Sequence, residues 1–86
     1  MNAKMMNPVI TINGTARKSL VADRLEILRA VRDAMSAMQA IAPHGRDYVG
    51  QNERYAADRA IYQARFALLD QLHNEIEEEA LSIHRD

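Results

Sequence analysis

Apolar side chains recur at alternating spacings of four and three along two long segments of this chain, and the segments meet at one break, PHGRDYVGQ, Pro43 to Gln51. Residues three and four apart share a helix face, so this is the rhythm of packed helices. The first seam is Arg17, Val21, Arg24, Leu28, Val31, Met35, Met38 and Ala42. Leu20, Ile27, Ala34 and Ile41 widen it on one side and Leu25 on the other. The resulting arc is wider than a contact between two helices requires. The second seam is Tyr55, Arg59, Tyr62, Phe66, Leu69, His73, Ile76, Ala80 and Ile83, with Ile61, Leu68 and Leu72 as a further strip. The pattern predicts an all-α fold: a long antiparallel two-helix hairpin with a short extended N-terminal arm, assembling into a multi-helix bundle.

Punctuation sets the expected bounds within a single domain, 1–86. Residues 1–14 form the arm. Its β-branched run Val9–Ile12 reads equally as a strand that needs a partner and as an extended segment lying along a helix. Thr15 is a fitting N-cap for a helix over 15–42, which Pro43 and Gly45 end. Residues 43–51 make the tip loop. Asn52 caps a second helix over 52–84, with Glu53 in its first turn. Folding the chain back pairs Val31 with Phe66, Leu28 with Leu69, Arg24 with His73 and Val21 with Ile76. The acidic run Glu75, Glu77, Glu78, Glu79 then falls beside Arg17 and Lys18. Each exposed pair of that kind contributes roughly 0–1 kcal/mol.

Composition narrows the partners. Eleven basic and twelve acidic residues give a net charge of −1. No basic excess is present to drive nucleic-acid binding by counterion release. The absence of cysteine fits a reducing cytoplasm and leaves the core without a disulfide. MNAKMMNP lacks the apolar region of a secretory signal, and no apolar run reaches the roughly 20 residues of a membrane span. A lone hairpin cannot close a core, so a homo-oligomer is expected.

The tip holds the first candidate site. His44 and Arg46 bring positive charge, Arg54 stands one turn into the second helix, and the free N–H groups of that helix start face the same way. Gly45 and Gly50 allow close backbone approach, Tyr48 offers a ring for stacking, and Asp47 can orient Arg46. Together these residues suit an anionic small molecule. They also suit a purely structural tip, in which Asp47 pairs with Arg46, His44 caps the first helix and Tyr48 packs on the bundle end. A second cleft, Arg24, Arg59 and His73, lies on the seams. A charge there needs a partner, and Glu77 and Asp70 are within reach. His73 and Glu77 stand four apart as metal ligands would, but no third ligand has suitable spacing, so no metal and no cofactor is expected. Met35 and Met38 read as core filler.

The order of Asn13-Gly14-Thr15, a helix, Pro43-His44-Gly45-Arg46-Asp47-Tyr48 and a second helix resembles short phage- and prophage-encoded helical-hairpin proteins over residues 9–86. This chain departs from that group at Val49, where a second tyrosine is common. The resemblance implies the cytoplasm of a bacterial host and one of two roles. One is an oligomeric sponge that sequesters a host immune signal of nucleotide type, cyclic or ADP-ribose-like. The other is an adaptor or inhibitor that binds a protein. The sequence reading is therefore a non-enzymatic oligomeric binder of an anionic, nucleotide-like molecule. The alternatives are a helical protein–protein interaction module and a small helical enzyme with an arginine clamp, in the manner of helical chorismate mutases.

Overall fold

The structure, a computed structural model, describes residues 5–9 and 14–85; of Gly14 and Thr15 only the backbone is described. Two α-helices dominate, α1 over Gly14–Met38 and α2 over Asn52–Arg85, packed as a hairpin. Among the described residues no helix is long and apolar enough to cross a membrane. Residues 5–9 form a short non-helical stretch at the open end. Of the Val9–Ile12 run, Ile10 to Ile12 lie outside the described residues, and Val9 is exposed.

α1 stops earlier than its periodicity suggests. It gives way at Met38 to a 3-10 turn, Gln39–Ile41, followed by Ala42 with φ −60° and ψ 130°. Pro43 is the cause, since its ring excludes the helical conformation from the residue before it. Ala42 is accordingly exposed and leaves the seam. α2 has 34 residues against 25 in α1, so it runs about two and a half turns further. Residues 39–51 fold back along that overhang.

The overhang shifts the pairing of the helices. Arg24 bonds Glu79, where the sequence pairs it with His73. Val21 and Leu25 share a groove with Ala80, Leu81 and His84, and Ile41 and Pro43 share one with Tyr62. Relative to the expected register, α2 has slipped by about one heptad. A slip of seven residues keeps every four-three seam matched, so periodicity alone cannot exclude it. The tip settled the choice by using 13 residues, Gln39 to Gln51, between the α-helices instead of the nine expected.

Most seam residues point inward as the pattern requires: Arg17, Val21, Arg24, Leu28, Val31, Met35 and Met38 on α1, with Tyr55, Tyr62, Phe66, Leu69, His73, Ile76, Ala80 and Ile83 on α2. Arg59 does not. It is exposed, and Asp58 takes the half-buried place between Tyr55 and Tyr62. The core is thin. Its buried apolar side chains are Leu28, Val31, Ala80 and Ile83, and Glu79 is buried with them. The molecule measures 63 × 23 × 13 Å. A thickness of 13 Å is close to one helix diameter, so the fold is a single layer with two open faces. Ile27 and Leu72 line one face and Leu25 and Leu81 the other.

Candidate functional site

The tip is built by three local devices. Gly45–Tyr48 is a second 3-10 turn, closed by the Asp47 N–H donating to the His44 carbonyl at 2.9 Å. Val49, at φ −56° and ψ 122°, and Gly50, at φ 74°, then make a type II turn. The Gln51 N–H donates to the Tyr48 carbonyl at 2.8 Å across it. Gly50 supplies the positive φ that the third position of this turn demands. Finally the Tyr55 N–H donates to the Gln51 carbonyl, which makes Gln51 the residue before the first helical turn and places Asn52 inside it.

These turns swing Tyr48 back onto α2. Its hydroxyl donates to Asp58 Oδ2 at 2.8 Å, and its ring meets Tyr55 at 5.3 Å between centroids. The bond to Asp58 holds the Tyr48 hydroxyl above the ordinary tyrosine range; desolvation and the Asp58 and Asp47 charges add to this, and Arg54 opposes it. Beside the pair lies a groove of about 240 Å³, lined by Ile41, Pro43, Tyr48, Asp58, Ile61, Tyr62 and Arg65. It combines a cation, a carboxylate, two phenol rings and an aliphatic wall.

Of the residues proposed for the tip from sequence, Tyr48 alone lines this groove. His44, Gly45, Arg46, Asp47 and Arg54 are exposed and stand outside it. Among the described residues no ion pair joins Arg46 to Asp47, and His44 makes no side-chain cap. Tyr48 packing on the end of the hairpin is the part of the structural reading that the geometry contains. Asp58, Tyr62 and Arg65 were not legible as site residues, because they enter the groove only after the tip folds back. The one available signal was Tyr62, four residues after Asp58 and three before Arg65, which puts all three on one side of a helix.

The second proposed cleft is not assembled. Arg59 is exposed on α2. His73 is half-buried, and its Nε2 has no hydrogen-bond partner among the described residues. Arg24 is engaged elsewhere: its Nε donates to Glu79 Oε2 at 2.6 Å and its Nη1 to the Leu20 carbonyl at 3.0 Å. The backbone N–H of Met6 donates to the other oxygen, Glu79 Oε1. One buried carboxylate thus ties the arm, α1 and α2 together. The partner of Arg24 is neither Glu77 nor Asp70, and the acidic run does not sit beside Arg17 and Lys18, which share their groove with His84. Among the described residues no three His, Asp or Glu side chains converge as a metal site.

No protein-family model, no curated protein and no solved structure matches this chain.

Proposed function

We propose that this protein is a non-enzymatic helical interaction module that works as an assembly of its own copies. The supporting observation is surplus surface. A compact monomer of 9.7 kDa exposes about 5,100 Å², whereas this chain exposes 6671 Å². Its radius of gyration is 18.2 Å, against about 12 Å for a compact domain of this length. The excess, about 1,500 Å², is of the size that one subunit covers in a substantial dimer interface. Ile27, Ile41, Ile61, Leu68 and Leu72 all stand exposed. Sedimentation equilibrium at micromolar concentration is expected to give a multiple of 9.7 kDa. A monomer mass would overturn the reading.

A second reading, sequestration of an anionic, nucleotide-like molecule, is favoured by the groove beside the tip, where Arg65 offers a charge and Tyr62 a ring. In a phage setting such a ligand would be a host immune signal. Native mass spectrometry against a panel of cyclic and ADP-ribose-type nucleotides tests it. The reading requires retention of one nucleotide by the wild type and its loss in Arg65→Ala.

A further inference from the structure

The shape of the exposed face specifies how a second copy would sit on it. On α1 the face carries Ile27 and Ala34, two turns apart, and Ile41 in the 3-10 turn after α1 extends it by lining a groove with Ile61 and Arg65. On α2 it carries Ile61, Leu68 and Leu72, flanked by Arg65 towards the tip and Glu75 towards the open end. Ile27 and Leu72 line one groove with Glu75, and Ile41 and Ile61 line another with Arg65, so the two stripes form one surface.

This surface is self-complementary under one rotation. We propose that two copies pack face to face and antiparallel, about a two-fold axis crossing the hairpin at the level of Ala34. The hairpin register puts Ala34 level with Leu69, one residue from the middle of the Leu68–Leu72 pair, since Arg24 bonds Glu79 and ten residues further along each antiparallel helix brings Ala34 opposite Leu69. One axis therefore satisfies both helices. Along α1 and the turn that follows it, each Ile27 meets the second copy's Ile41, and the two Ala34 residues meet on the axis, where small side chains let the helices approach. On α2, each Leu68 meets the second copy's Leu72. Arg65 and Glu75 lie equally far beyond that pair, so each Arg65 meets the second copy's Glu75, forming two ion pairs at the rim. Such isologous contacts are the usual form of a dimer interface.

The parallel alternative is less suited to the same residues. It lays α1 of one copy on α2 of the other, so that Arg65 and Glu75 do not meet across the interface, and crowds His44, Arg46 and Arg54 of both copies at one end. The antiparallel arrangement separates those like charges by the length of the molecule, and electrostatic complementarity of this kind fixes orientation.

The inference rests on the assembly reading, and the test separates the two. Arg65→Glu and Glu75→Arg are each expected to weaken dimerisation about tenfold or more, because each sets two like-charge contacts in the interface. The double variant is expected to recover most of the wild-type affinity. Circular dichroism of each variant checks that the hairpin persists. Mixed Ile27→Cys and Ile41→Cys chains are expected to cross-link to each other through a short bismaleimide, in preference to like chains. A wild type that stays monomeric leaves this face to a different protein and overturns both readings. A wild-type dimer with no charge-swap recovery and no preference for unlike cross-links overturns this arrangement alone.

Discussion

Arg24 on α1 and Glu79 on α2 face each other at 2.6 Å with side chains only 12% and 9% exposed. They are one rung of the heptad register in which the hairpin closes. Both charges have left most of their water, so neither can lose its partner cheaply. The Met6 N–H and the Leu20 carbonyl complete the cluster.

Glu79→Ala is expected to destabilise the protein by about 3 kcal/mol, because it strands a nearly buried guanidinium and frees the arm. The double variant Arg24→Met, Glu79→Leu should lie within about 1–2 kcal/mol of wild type, since apolar replacement of a buried pair is often neutral. Urea denaturation at one fixed protein concentration measures both. Equal losses in the single and double variants would mean that the pair carries no charge-specific role.

Tyr48→Phe is expected to destabilise the tip slightly, because it removes the hydroxyl that donates to Asp58. The pH dependence has a definite sign. The folded Tyr48 hydroxyl titrates above its unfolded value, so its contribution is complete below the ordinary tyrosine range and is lost as pH rises through the folded value. Tyrosinate absorbance should therefore contain a step above the ordinary tyrosine range, and Tyr48→Phe should remove it. A late step that survives the substitution would mean that the bond to Asp58 does not hold the Tyr48 hydroxyl.

The two tip glycines should respond differently. Gly50→Ala is expected to lower stability by about 1 kcal/mol, since an alanine at φ 74° is strained even though the space is open. Gly45 has no positive φ and nothing within 4 Å of an added Cβ. Gly45→Ala should be neutral or stabilising by up to about 1 kcal/mol, through the unfolded state. Thermal unfolding of the pair is sufficient; equal destabilisation by both would contradict the turn assignment.

Arg46→Ala and Asp47→Ala are each expected to change stability by no more than about 0.5 kcal/mol, because both side chains are exposed and no ion pair joins them. Matched losses in melting temperature would instead show that the two residues hold the tip together.

The hairpin, the inward seams and the single break were legible in the sequence because helical period survives in every repeat. Register was not. Leu28 and Leu69 fit opposite each other as well by periodicity as any pair one heptad away, and the deciding contact, Arg24 with Glu79, depends on how many residues the tip consumes. The same slip explains Arg59. Spacings from Tyr55 to Tyr62 allow either position 58 or position 59 to face inward, and Tyr48 selects Asp58 by donating to it. The groove beside the tip was hidden for a related reason: Ile41, Ile61 and Arg65 belong to no common sequence motif and meet only when the segment after α1 folds back.

The register has a consequence for the order in which the chain closes. Tyr48 and Asp58 are separated by 10 positions, Arg24 and Glu79 by 55, and Met6 and Glu79 by 73. Loop-closure entropy rises with separation, so contacts near the tip form most readily and each rung shortens the effective loop of the next. The chain is a zipper with its slider starting at Gly50 and its last tooth at Met6. Amide hydrogens should accordingly exchange fastest at the open end, where the arm can lift from Glu79 while the tip stays shut.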